Sequence, residues 1–558
     1  MPPVSVGCEK HSIFVLKQRQ RLRLTSGDAG RTAALPVLDS GLASVMLDCV
    51  RARPSISRDN TEKSVVIVGA GIAGLSAGCY ARMNGYRTTI VEMHDKPGGL
   101  MTGWKRKGYT IDGCIHWLVG SQKLGFNRMW QELGMVQGRE FVNAEEFHRV
   151  EWPDGRTFVL YCDPDRLQQH ITELSPEDAT AAKDLCDCIR AAVKADGPLG
   201  KPAELQSAFD KLRAGLIVMP KYLPLGKWFR YSTAEYVTRF KGELVRAGLT
   251  LAWPDEFPLL FLAMTLGWLA QKAAGYPIGG SLGLADALAK RYAGIGGETR
   301  YKTRATGIIV ENDRALGVRL ADGGELRADH CIWAADSHTA LFDMLDRKYA
   351  TEKALWPFDN LKPFPALCFV GLGVRRKFDD VPVSVSGLQL VLPQPVEIAG
   401  RKTASVVLHI FSQDPTLAPP GCTVVTSMIE SDLEWWRKLA SDRPRYEAEK
   451  AKAADMVVAA LERRFPGSAA LVEMRDVATP VTFVRYTGNW QASFEGWMVS
   501  AKTWNTTVPK SLPGLDGFWM CGHWVMPGGG LPPSAQSGRD VIQLICVRDK
   551  RRFQTTTG

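Results

Sequence analysis

Ser64–Gly78 reads SVVIVGAGIAGLSAG, and this stretch decides the fold. Val65–Val68 is a short β-branched run of the kind that forms a buried strand. Gly69, Gly71 and Gly74 follow in GxGxxG spacing, and Ala73–Met83 reads as a helix that stops at Asn84-Gly85. Gly69 permits the tight turn, Gly71 lets the backbone approach a pyrophosphate, and Gly74 lets helix and strand pack closely. The helix N-terminus offers free N–H groups and a partial positive charge to phosphates. Tyr86–Val91 reads as the next strand. Glu92 stands at its end, 18 residues beyond Gly74, where a carboxylate can bind both hydroxyls of an adenosine ribose.

His94–Trp104 (HDKPGGLMTGW) carries Gly98-Gly99, which lets backbone pass close to a large ligand. A glycine pair so soon after the ribose acid points to FAD rather than NAD, because FAD runs on past the pyrophosphate. Gly517–Arg539 (GFWMCGHWVMPGGGLPPSAQSGR) reads as a strand ending at Cys521, then Gly522 and His523, a Gly/Pro loop, and a helix from about Ala535 to Arg548. Such a helix start can face the other end of a flavin dinucleotide. Ser64–Ala81 and Gly517–Gly538 are uncharged and would mimic membrane spans, but their glycine and proline density argues for cofactor loops. Lys105–Gly120 reads as a strand pair leading to His116-Trp117. His116 could reach the reacting end of a flavin, although a lone histidine among apolar residues also reads as a satisfied core residue. Asp286, Arg300 and Asp336 read mostly as solvated or capping groups.

The composition fits a globular enzyme: 558 residues, 45% apolar and 23% charged. The net charge of +10 comes without a dense Lys/Arg tract. It argues against nucleic acid and suits anionic cofactor phosphates or a membrane surface. The 12 cysteines are scattered with no CxxC, so neither a zinc pattern nor a secreted disulfide framework is present, and a reducing compartment is expected. Residues 1–62 show no sustained periodicity and read as a disordered extension, with an organelle transit peptide as the other reading. Residues 123–275 read as mixed and mostly helical. Lys302–Val310, Gly317–Leu320 and His330–Ala334 read as short strands, with Asp322-Gly323 joining the latter two as a hairpin turn. Residues 364–412 and 422–429 read as further strands, and Glu434–Arg464 as helix. Leu216–Trp228 and Phe257–Ala270 are apolar and aromatic, flanked by Lys221, Lys227 and Lys272. They suit a lipid tunnel or a membrane edge as well as core helices, and neither is long enough to span.

The order VGAGIAGLSAG, Glu92, PGG, YTIDGCIHWLVG, GGETRYKTRATGI, WAAD, GHWVMPGGGLP and SGR resembles the phytoene desaturase and carotenoid isomerase group of FAD-dependent oxidoreductases. It is similar to all-trans-retinol saturases as well, within the wider amine-oxidase-like flavoproteins. The resemblance covers about residues 63–548. It implies that Gly69, Ala70, Gly71, Ile72, Ala73, Gly74, Glu92, Met93, Gly98, Gly99 and Leu100 hold the ADP half of FAD. It places Ala305-Thr306 beside the adenine, and Gly522, His523, Gly529, Gly530 and Leu531 along the ribityl and isoalloxazine side. It also puts His116 near the flavin as the candidate catalytic residue. Leu100 stands where many members carry Arg, and His523 where many carry Asp.

The expected fold is α/β, a discontinuous Rossmann-like FAD-binding domain with an inserted mixed α+β substrate domain. Residues 1–62 form the extension; 63–150, 276–345 and 510–558 form the FAD-binding domain; 151–275 and 346–509 form the substrate domain. FAD is the expected cofactor, and no metal is expected. The leading reading is hydride transfer between flavin N5 and an apolar isoprenoid or polyene, giving desaturation, saturation or flavin-assisted isomerisation. The rivals are an amine or other small-substrate oxidase and a non-enzymatic binder of prenyl chains. The expected partners are the apolar substrate, a membrane surface, and an electron donor or acceptor left open among quinone, oxygen and nicotinamide. The expected location is cytoplasmic and peripheral to the membrane, with an organelle as the alternative.

Overall fold

The computed structural model describes residues 62–194, 199–217 and 219–558; the expected extension lies outside them but for Glu62. Ser64–Val68 is the middle strand of a five-stranded parallel sheet. Arg87–Val91 and Glu298–Arg300 follow on one side, and His330–Trp333 and Phe518–Met520 on the other. Valines 65–68 and Ile67 between them are covered on both faces, which is why this strand is a continuous apolar run rather than an alternating one. The five strands come from three distant stretches of chain, so the cofactor layer is discontinuous.

Two helices pack together on this sheet, Ile72–Met83 and Leu531–Arg548. The Ser76 hydroxyl donates to the Ala535 carbonyl at 2.7 Å and ties them. The C-terminal helix begins four residues earlier than the sequence suggests. Pro532 and Pro533 sit in its first turn, where a missing N–H leaves no bond unmade.

The hairpin expected between Gly317–Leu320 and His330–Ala334 is corrected. Arg314–Leu320 pairs instead with Glu325–Arg327 across the 321–324 turn, while His330–Trp333 leaves for the parallel sheet. Ala305–Glu311 completes this three-stranded sheet through a tight turn at Asn312-Asp313, both at positive φ.

A second, seven-stranded sheet carries the inserted part. Its order is Val472–Ala478, Ala366–Val374, Thr423–Ser431, Arg401–Ile410, Leu388–Ile398, Glu146–Glu151 and Thr157–Tyr161. Glu146–Glu151 pairs with Leu388–Ile398, so the chain enters this layer before residue 150, and the expected boundary there falls inside a strand. Arg443–Arg464 covers one face. The single helix expected over Glu434–Arg464 is broken at Asp442, whose carboxylate caps the longer piece by accepting the Arg445 N–H. Helices Pro164–Leu174, Ala179–Val193, Glu243–Ala252 and Leu259–Ala270 share a further core with Phe147, Phe158 and Leu160. Among the described residues no helix is long and apolar enough to cross a membrane.

Candidate active site

A cavity of about 970 Å³ runs along the C-terminal end of the parallel sheet and on between the two layers. That volume is at the top of the range of roughly 300–1,000 Å³ for small-molecule sites. Its polar end is built by the strand–turn–helix unit. Gly69 adopts φ 102°, and Gly71 approaches Gly98-Gly99 so closely that a Cβ on Gly99 would stand 3.2 Å from the Gly71 Cα. Gly74 lies outside the wall. A Cβ there would meet the Gly69 carbonyl oxygen at 2.0 Å, so its task is packing.

Glu92 is buried at the cavity wall, with Oε2 accepting the Ala70 N–H at 2.7 Å and Oε1 the His94 N–H at 2.8 Å. Burial raises its pKa against these two bonds. Each oxygen keeps a lone pair for a hydroxyl. Ala70 therefore acts through Glu92 rather than in the wall. Thr306 is not brought to the site: it is exposed, with its hydroxyl on the Arg319 carbonyl. Thr303, Arg304 and Ala305 line the cavity in its place. Ile72, Ala73, Met93, Leu100, Gly522, His523, Gly529, Gly530 and Leu531 all line it.

The residues present fit a dinucleotide. Ile72–Met83 and Leu531–Arg548 both start at the wall from glycine N-caps without any side-chain cap, so the first-turn N–H groups of Ile72–Met83, and the Leu531 N–H ahead of Pro532 and Pro533, remain available to an anion or carbonyl. Asp336, read from sequence among the solvated or capping groups, is buried in the same wall. Its Oδ2 accepts from the Thr339 N–H and hydroxyl, while Oδ1 is buried without a protein partner. A buried acceptor of this kind is costly unless a ligand donor meets it. Asp286 and Arg300 are exposed, Arg300 in an ion pair with Glu298.

The loop carrying His116 is fixed by Asp112. Its carboxylate accepts from the Cys114 N–H, the Ser281 hydroxyl and the Ser281 N–H, pinning the loop to helix Gly280–Gly294. His116 lines the cavity and stacks on His409, with ring centroids 4.0 Å apart and planes 3° from parallel. Burial lowers its pKa to about 4, and holds that of His409 well below the usual imidazole range. Both rings are therefore neutral at pH 7. His523 is lowered to about 4 for the same reason, and its Nε2 lies 3.4 Å from the Asn489 Oδ1 that also accepts from Trp524. Where many resembling proteins carry an acid, position 523 is thus uncharged.

Past the glycine loop the cavity turns apolar and aromatic. Phe261, Met264 and Trp268 come from helix Leu259–Ala270, one of the two stretches read as a tunnel. Strand Ala366–Val374 alternates as a strand must. Leu367 and Phe369 face the cavity, and Cys368 and Val370 pack under Arg443–Arg464. Asn489 and Glu495 also line the wall and were not singled out from sequence.

Residues 72–545 match the family described as flavin containing amine oxidoreductase. The chain belongs to that family. It is an FAD-dependent oxidoreductase, since the family supplies the flavin and the cradle, with its ribose carboxylate and two uncapped helix starts, is that of a dinucleotide. Among curated proteins it is 28% identical over 518 residues to phytoene desaturase (neurosporene-forming) of Rhodobacter capsulatus, covering 86% of this chain and 93% of that one. It is 24% identical over 506 residues to the chloroplastic prolycopene isomerase of Daucus carota, covering 86% and 79%. Among solved structures, an oxidoreductase from Methanosarcina mazei matches with TM-score 0.54 and 19% identity over 86% of this chain and all of that one. Cyclohexylamine oxidase from Brevibacterium oxydans matches with TM-score 0.52 and 16% identity over 88% and 100%. These two show the fold alone.

An FAD held here would supply hydride exchange with a substrate C–H. Glu92 and the two helix starts would hold its nucleotide, and the aromatic side chains would line the space beside it.

Proposed function

We propose that this flavoenzyme makes, removes or isomerises carbon–carbon double bonds in an apolar isoprenoid or polyene. The observation that carries the reading is the apolar and aromatic character of the cavity beyond the glycine loop. The desaturase and isomerase relatives, matched over 86% of this chain, support it. The test is anaerobic mixing of the purified FAD enzyme with carotenoids, retinoids and soluble amines, followed by flavin absorbance and product chromatography. A polyene should either bleach the flavin or change its own double-bond pattern, and amines should do neither. Peroxide formed from amines in air, with polyenes untouched, would overturn the reading.

An apolar substrate has to arrive from lipid, and one surface suits that. Leu216–Trp228 divides: Leu225 and Trp228 are buried and Tyr222 lines the cavity, whereas Leu216 and Leu223 are 69% and 68% exposed. Helix Ala208–Ile217 buries none of its residues, and Phe209, Leu212 and Leu216 recur on one side at 71%, 60% and 69% exposure. Lys211, Arg213 and Lys221 stand beside them, outside every ion pair among the described residues. Apolar side chains among unpaired cations are the pattern of an interfacial segment on anionic lipid. The enzyme should sediment with vesicles containing phosphatidylglycerol more than with pure phosphatidylcholine. The double variant Leu212→Glu/Leu216→Glu should bind such vesicles at least about 100-fold more weakly, since each leucine contributes about 1.5–3 kcal/mol when buried, with FAD content unchanged. Equal binding by variant and wild type would remove this surface from the proposal.

A further inference from the structure

Among the carboxyl groups that line the cavity in the described residues, Glu495 is the one that the nucleotide cradle does not use. Glu495 follows Phe494 in a loop beside the C-terminal glycine loop. A Cβ on Gly529 would lie 2.5 Å from its Oε2, so the carboxyl rests directly against that glycine. Helix Leu531–Arg548 starts at the next residue but one, and Phe261, from the aromatic wall, lies 3.7 Å from the place of a Gly528 Cβ. The carboxyl is therefore at the junction between the cofactor loop and the apolar chamber. It is half-buried, and what remains exposed faces the cavity.

The other cavity carboxyls are committed elsewhere: Glu92 to the Ala70 and His94 N–H groups, and Asp336 to Thr339. His116 and His523 are neutral, weak bases at pH 7. We propose that Glu495 is the acid–base residue of the reaction, exchanging a proton with the substrate carbon next to the one that exchanges hydride. The inference rests on the function proposed above. In the desaturating direction one C–H bond breaks and its hydrogen leaves with both electrons to the flavin. The neighbouring C–H bond breaks and its proton goes to the Glu495 carboxylate. The electron pair left behind becomes the second bond of C=C. Saturation runs these steps backwards, with protonated Glu495 as donor.

Burial raises the Glu495 pKa to about 7, against the Gly530 N–H that stabilises the anion. A group with its pKa near the working pH both gives and takes a proton efficiently. The titratable groups facing it are Cys114, whose thiol burial and Glu495 itself hold protonated, and His523, neutral beside Gly496. Neither contributes a charge near pH 7, so the titration belongs to Glu495.

A plain structural role, capping the C-terminal helix at Gly530, is separable. Glu495→Gln keeps an oxygen for that N–H but cannot carry the proton. The variant should retain FAD and its melting temperature, and kcat should fall by about 10²–10⁴-fold with KM little changed. The limb near pH 7 in the wild-type profile, rising with pH for desaturation and falling for saturation, should vanish. Independently of turnover, infrared difference spectra of the wild type should show a protonated carboxyl that titrates near pH 7 and is missing in the variant. Wild-type turnover in the variant, loss of FAD from it, or no carboxyl titrating near pH 7 would each overturn the assignment. If the wild-type enzyme acts on no polyene, the substrate reading fails on its own, and the infrared titration still decides whether Glu495 is a proton-exchanging group.

Discussion

Gly71→Val should yield a folded protein that purifies without flavin. Gly71 has φ −70° and ψ 176°, an extended conformation open to any residue. A Cβ there would meet nothing closer than the Gly98 oxygen and Gly99 Cα at 3.9 Å, which is ordinary contact. The fold therefore does not require glycine at this position. The valine methyls would occupy the cavity where the helix Ile72–Met83 presents its uncapped N–H groups, the place a pyrophosphate needs for close backbone approach. FAD affinity should drop at least about 100-fold, or roughly 2.7 kcal/mol, with the melting temperature matching that of wild-type apoprotein. Reconstitution with excess FAD, followed by absorbance after gel filtration, measures it. Normal flavin retention would mean that the phosphates lie elsewhere.

The parts legible in sequence were those whose chemistry is local. GxGxxG between a buried strand and a helix specifies backbone geometry within a few residues, so the strand, turn, helix and second strand of Ser64–Glu92 could be read directly. The same holds for the late glycine loop at 522–531, whose residues do line the cavity. Local signals failed where a neighbouring rule was stronger or a distant partner decided. Thr306 was placed beside the nucleotide, but the strand starts at Ala305, and residues 303–305 bend past Glu92, the Thr303 N–H bonding its carbonyl. The Asn312-Asp313 turn has no glycine to announce its two positive φ values. Leu216–Trp228 is apolar throughout, and composition alone cannot separate a face packed on the core from one left open. Glu495 carries no motif at all. Its environment is made by Gly529 and Gly530, some 34 residues later in the chain, and only the folded backbone brings them together.

Gly538→Val should fail in the opposite way from Gly71→Val, losing stability and cofactor at once. Gly538 lies inside helix Leu531–Arg548, where that helix crosses Ile72–Met83. A Cβ there would stand 2.4 Å from the Ala73 carbonyl oxygen and 2.8 Å from the Ala77 nitrogen. Both are backbone atoms of a regular helix and cannot rotate away, so the two helices must separate. Overpacking of this kind costs typically about 1–3 kcal/mol, and rigid neighbours put it at the upper end or beyond. The Ser76–Ala535 bond ties the helices at the same crossing. The Gly522 N–H donates to Ser537, one residue before the substitution. Moving the helix therefore drags the loop of Gly522 and His523 and misaligns both uncapped helix starts. The variant should melt several degrees below wild-type apoprotein and bind FAD weakly even at saturating concentration. Gly294→Ala supplies the control. That glycine ends helix Gly280–Gly294 with nothing within 4 Å of a new Cβ, so melting and flavin content should stay as in the wild type. If Gly538→Val melts with the wild-type apoprotein, the helix crossing is not what sets the spacing of the two cofactor loops, and the backbone contact at Ala73 must relax without cost.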